Sequence, residues 1–289
     1  MPGRATVIDT TSAASTRASG VRSALRLPPP PPAQSITRPE RTRLWIELAI
    51  VLGLSLGASA VYSVVSLVAK LTAEKPLGQQ STALNTSQSS REWLDFTYQF
   101  LNIFFALFAV ALVLYLLWRP GQSPFRRIGF DLTRPGRDLG AGLALAAVIG
   151  IPGIALYLGG RALGITVAIN ASPLETFWWT IPILLLSAAN AALSEEIIVV
   201  GYLFTRLRQL GWNRWAIIVA SATLRGSYHL YQGFGPFAGN CAMGVLFGWC
   251  YEKWGRTMPL VIAHWVLDVA SFVGYPLAVM WWPALFAAG

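Results

Sequence analysis

Residues 96–118 read FTYQFLNIFFALFAVALVLYLLW, twenty-three positions without one charged side chain. A helix of about 20 apolar residues crosses the hydrocarbon of a bilayer, so this stretch predicts a membrane span. Working outward, similar stretches recur at Leu44–Ala69, Leu139–Gly160, Phe177–Phe204, Trp215–Tyr231, Phe234–Tyr251, Met258–Gly274 and Tyr275–Phe286. The expectation is an all-α polytopic membrane protein with about eight transmembrane helices in one bundle. Gly274-Tyr275-Pro276 leaves almost no connector, so seven spans is the alternative. Hydrophobic residues make up 54% of the 289, in keeping with a multi-pass cell-membrane protein.

Residues 1–43 differ in kind. They are rich in Ala, Ser, Thr, Arg and Pro, with five consecutive prolines at 28–32, and lack the apolar mass for a core. A disordered, basic, Pro-rich tail is expected there, followed by a membrane domain over 44–289. The tail has no early apolar segment of the secretory-signal kind.

The formal charge of +9 sits mostly in connectors. Seven arginines lie in the tail, Arg119, Arg126, Arg127, Arg134 and Arg137 in the stretch 119–138, Arg206, Arg208 and Arg214 around 205–214, and Lys253 and Arg256 in the next turn. Every second connector is basic, whereas 70–95 balances its charges. The excess of positive charge on one side sets orientation, which predicts cytoplasmic termini and argues against nucleic acid as a partner. Cys241 and Cys250 are nine positions apart, about 13.5 Å along a helix, too far for a disulfide. Glycine pairs such as Gly53/Gly57, Gly235/Gly239 and Gly244/Gly248 allow close helix contact.

Charges inside apolar helices are costly, roughly 2.5–3.5 kcal/mol each on insertion scales, and they gather where helices meet or water enters. Here they are Glu195 and Glu196 in Ser194-Glu195-Glu196-Ile197-Ile198-Val199-Val200-Gly201, Arg225 and His229 in Arg225-Gly226-Ser227-Tyr228-His229, and His264 and Asp268 in His264-Trp265-Val266-Leu267-Asp268. The only two histidines of the chain are thus each preceded or followed at four positions by a charged residue. Such polar groups can merely hold helices together. They can also activate water: Glu195 takes a proton, His229 orients the water, His264 donates to a developing oxyanion, and Glu196 and Arg225 hold the electrostatic frame. Asp268 is expected to accept from His264 and fix its tautomer. Two imidazoles and three carboxylates could instead bind zinc, but there is no His-Glu-x-x-His helix, and an arginine opposes a nearby cation. No cofactor is required.

These three motifs, in this order, resemble the CPBP intramembrane protease family, which includes the type II CAAX prenyl endopeptidases and bacterial Abi-type proteins. The resemblance covers about residues 177–275. It implies a metal-independent glutamic endopeptidase acting on membrane-associated proteins or peptides, prenylated or not, in a cavity opening toward the cytoplasm. By the same resemblance Glu195 and His229 activate water, and His264 and Asp268 serve the oxyanion side. Three positions depart from the family pattern: Val200 stands where Arg is common, Arg225 where Phe is common, and Asp268 where Asn is frequent. A displaced positive charge, Arg225 in reach of Glu196, is therefore expected. The alternatives are a noncatalytic immunity, chaperone or scaffold protein, and a zinc-dependent intramembrane protease.

Overall fold

The computed structural model describes residues 27–28, 36–170 and 177–281. Most of the expected tail, and the last part of the expected final span, lie outside these residues. Helix α1, Arg38–Gly53, starts inside the stretch assigned to the tail. Its start is written locally: Thr37 and Glu40 form a reciprocal capping box, and Pro39 occupies the first turn, where a missing N–H costs nothing.

The expected first span is two helices. α1 and α2, Leu56–Leu71, meet at a 55° bend. The Ser55 hydroxyl bonds the Val51 carbonyl at 2.6 Å, and a Cβ on Gly57 would lie 2.7 Å from the Leu52 oxygen. Gly57 therefore serves the bend. Its presumed packing partner Gly53 has nothing within 4 Å of a built Cβ.

Four further long helices follow the apolar pattern. They are α3, Glu92–Leu117; α5, Pro135–Ala162, after a short helix α4, Pro124–Arg127; α6, Thr180–Gln209; and, after two intervening helices, α9, Met258–Trp281. The intervening pair is α7, Arg214–Ser227, and α8, Phe234–Trp254. Among the described residues, four helices are long and apolar enough to cross a membrane, or five with the bent α1–α2 pair counted as one span. The expected break at Gly274-Tyr275-Pro276 is no turn: α9 continues through it as a π-helical segment, Ala270–Gly274. Pro276 cannot donate to the preceding turn, and a π segment is one way a helix absorbs such a local mismatch without ending.

Helix α6 is the most enclosed of the spans. It packs against α3, α7 and α9, while α7 and α8 form a hairpin and α9 lies along α5. Gly211, at φ +86°, ends α6, and Asn213 caps α7 by accepting from the Ala216 N–H, which makes the reversal short. At Gly244 a Cβ would sit 2.7 Å from the Ala222 Cα, so only glycine lets α8 approach α7 this closely.

The basic connectors collect at one end. There the Thr257 N–H bonds the Ile128 carbonyl at 3.0 Å, and Arg41 reaches the Leu210 carbonyl at 3.4 Å. Arg206 joins Glu47 at 2.7 Å and the Leu116 carbonyl at 2.7 Å. Arg256 is clamped by Asp138 and Asp131, at 2.6 and 3.0 Å from one terminal nitrogen. The opposite end carries something the helical pattern gave no sign of. Two three-residue parallel strands, β1 (Ser81–Ala83) and β2 (Ala168–Asn170), pair there, and a bridge between Thr166 and Gly233 ties the second connector to the tip of the α7–α8 hairpin.

Candidate active site

The six singled-out residues come from α6, the end of α7 and the two residues that follow it, and α9. Glu195 and Glu196 stand where α6 changes from α-helical to π-helical, over Glu195–Tyr202, and every residue of that segment is buried. A π turn redirects carbonyls as well as side chains, and π segments are frequent at functional sites. One carbonyl of this segment, Val199, accepts the Ser221 hydroxyl of α7 at 3.0 Å.

Arg225 is the hub. Its side chain has no exposed surface, and its two terminal nitrogens take different carboxylates, Glu195 Oε2 at 3.1 Å and Glu196 Oε1 at 2.7 Å. Phe247 of α8 lies under the guanidinium, 5.4 Å from ring centroid to Cζ. A buried cation shared by two carboxylates, with an aromatic face behind it, satisfies what an isolated charge in an apolar bundle cannot. The positive charge missing at Val200 is supplied from α7.

His229 is not on the α7 helix face, as its spacing had suggested. The helix ends at Ser227, and Tyr228 and His229 follow with ψ near zero. The relation to Arg225 survives in another form, because His229 Nδ1 lies 3.0 Å from the Arg225 carbonyl. A carbonyl can only accept, so Nδ1 carries the proton and Nε2 keeps its lone pair. Tyr228, which the sequence reading did not single out, donates its phenol to Glu195 Oε2 at 2.7 Å. Its ring packs on His229 at 4.9 Å between centroids.

The role expected of Asp268 needs correcting. His264 Nδ1 is 2.7 Å from Glu196 Oε1, so Glu196 orients this imidazole. Asp268 Oδ2 stands 3.5 Å from Nε2 and Glu195 Oε2 stands 3.9 Å from it. Asp268 sits one full turn above His264, too far for a close hydrogen bond, whereas Glu196 comes in from α6 at the right height. Nε2 of His264 is therefore the ring atom facing the gap between Glu195 and Asp268.

Ligand atoms of Glu195, Glu196 and His264 all lie within 4.8 Å of one another, a separation that could hold a metal ion. The chemistry of the set argues against one. Both carboxylates are already engaged by the Arg225 guanidinium, and a divalent ion among them would face that cation at contact distance. The donor set does not fit a metal unless Arg225 leaves it.

The arrangement presents one oxygen of Glu195, Oε1, and one nitrogen of His229 without hydrogen bonds among the described residues, while the rest of both groups is fixed. Residues 177–270, which carry all three motifs, match the family model of type II CAAX prenyl endopeptidase Rce1-like proteins. No curated protein and no solved structure matches the chain.

Proposed function

We propose that this chain, whose residues 177–270 match the family model of Rce1-like type II CAAX prenyl endopeptidases, is a metal-independent intramembrane endopeptidase. Its substrate would be a membrane-associated protein or peptide, with prenylation one form that substrate can take. The observation that carries the reading is the treatment of Glu195. Tyr228 and Arg225 hold one oxygen, which leaves the other to take a proton from water.

His229 Nε2 assists by accepting a second hydrogen bond from that water, with Nδ1 anchored on the Arg225 carbonyl. Attack on the scissile carbonyl puts negative charge on its oxygen, and His264, as an imidazolium with a proton on each ring nitrogen, would donate to that oxygen from Nε2–H. Glu196 supports this role by fixing the ring through Nδ1. Asp268, 3.5 Å from Nε2, borders the oxyanion position as a neighbour of His264 and does not set the orientation of the ring, which Glu196 does. Proton transfer from Glu195 to the leaving amine would complete the hydrolysis. The basic end of the bundle is the cytoplasmic one in this reading, and the protein resides in the cell membrane.

Purified protein in bilayer or detergent, offered prenylated and unmodified peptides, tests this. Cleavage should depend on Glu195 and His229 and survive metal chelation. Turnover unchanged in Glu195→Ala would end the mechanism, and loss on chelation restored by zinc would move it to a metalloprotease.

A further inference from the structure

A cavity lies beside the C-terminal end of α3, about 480 Å³ in volume and lined by Gly121, Gln122, Ser123, Arg126 and Arg127. Its floor is rigid. Arg119-Pro120-Gly121-Gln122 is a tight turn closed by the Gln122 N–H on the Arg119 carbonyl at 2.9 Å, with Gly121 at φ +77°. Pro before Gly at the two central positions suits such a turn.

The lining is cationic and unbalanced. No Asp or Glu occurs from 118 to 130. Arg127 donates to the Leu117 carbonyl at 2.9 Å, and the side chains of Arg119 and Arg126 make no hydrogen bond or ion pair among the described residues. Burial, then the nearby Arg119 and Arg206 guanidiniums, hold Arg127 below its ordinary pKa range. The cations therefore crowd one another. Arg206 has Glu47 as a counter-ion; among the described residues the lining of the cavity includes no carboxylate.

The surroundings fix its depth. Tyr115, Trp118 and Phe125 are exposed around it, at 69%, 61% and 44%. Aromatic residues at the end of a long apolar helix mark the headgroup level of a bilayer. We propose that this cavity binds the phosphate of an anionic membrane lipid, with Arg126 and Arg127 as its charge partners and Gln122 and Ser123 as hydrogen-bond donors. The acyl chains would run along the apolar face of α3. The same end of α3 holds Arg206 of the glutamate-bearing helix through Leu116, so the lipid would bind next to the cytosolic anchor of α6.

The test uses the full chain purified in detergent and does not depend on peptide cleavage. Native mass spectrometry should find phosphatidylglycerol retained in preference to phosphatidylcholine, and added phosphatidylglycerol should raise the unfolding temperature while inorganic phosphate at equal concentration does not. Arg126→Gln should weaken retention about five-fold, the usual worth of one basic residue near an anionic surface. Gln122→Glu, which brings a carboxylate into the lining, should weaken it further. Both sites are exposed, and unfolding without lipid should match wild type. Equal retention of the two lipids would overturn the proposal. So would wild-type retention in both variants, and a response to inorganic phosphate as large as that to lipid would replace the lipid by a soluble anion.

Discussion

Arg225 reaches Glu195 and Glu196 with separate nitrogens of a single guanidinium, at 3.1 and 2.7 Å, so two neighbouring carboxylates on one helix share one cation from another. That sharing needs a planar fork. Arg225→Lys keeps the charge but has one nitrogen to divide between the acids. We expect kcat for peptide cleavage to fall by at least ten-fold in this variant, with the protein still folded by circular dichroism.

The same relationship predicts an exchange. Arg225→Phe, which installs the residue common at this position in the family that the motifs resemble, takes the guanidinium away from two buried carboxylates and should cost about 3–5 kcal/mol of stability. Adding Val200→Arg, on the π segment that carries both acids, should recover part of that loss. Thermal unfolding of the two single variants and the pair measures it; strict additivity would refute a shared role for these positions.

Water activation and charge stabilisation should separate in kinetics. Glu195→Gln and His229→Ala are each expected to lower kcat by about 10²–10⁴-fold, the usual range for a positioned acid–base group. Single-turnover cleavage with saturating peptide reads this directly, and a loss of less than three-fold in either would remove that residue from the chemistry.

Asp268→Asn should be tolerated. The amide can still meet His264 and adds an N–H that the carboxylate lacks, so activity should stay within a few-fold of wild type or rise. Asp268→Ala should fall below both, because His264 Nε2 then loses its neighbour at 3.5 Å. Steady-state comparison of the three proteins checks the order.

Outside the membrane helices, Asp131 gives a pH dependence. The hydrogen bond from Thr133, followed by contact with Arg256, holds its carboxyl down at about 2. A folded-state value below the ordinary one means that the contribution is complete above about pH 4 and is lost as pH falls through about 2. Unfolding temperature should therefore drop more steeply between pH 4 and pH 2 in wild type than in Asp131→Asn. Parallel curves would contradict it.

Much of this site could be read from one sequence because a charge in an apolar run is conspicuous. Glu195, Glu196, Arg225, His264 and Asp268 stood out for that reason, and the pairing of Arg225 with Glu196 followed from charge balance. Tyr228 did not, since a tyrosine beside a histidine in a membrane helix reads equally well as packing. The partner of His264 was misjudged because i,i+4 spacing within α9 is visible in sequence, whereas Glu196 arrives from a different helix. The end of α7 before His229, the bend at Ser55 and the β1–β2 pair depend on backbone geometry that hydrophobic patterning does not encode. The run from Met258 to Phe286 was divided in two at Gly274 for the opposite reason: Gly-Tyr-Pro resembles a break, and the π segment absorbs it.

The π-helical stretch from Glu195 to Tyr202 gives α6 a phase offset. Ahead of it the buried positions are Ile183, Leu184, Ala188 and Ala192; beyond it they are Leu203, Phe204, Arg206 and Leu207. Each half keeps its own face toward the bundle because the wider turns between them take up surplus residues. Shortening this stretch by a single residue would let it relax to an ordinary α-helix. Relaxing to an α-helix at full length would instead swing one half by about 100° relative to the other, so that either the two carboxylates or Arg206 would turn away from its partners. Point substitutions across 197–199 can be absorbed by repacking, but at this length the π geometry of the segment is fixed by the two faces it joins.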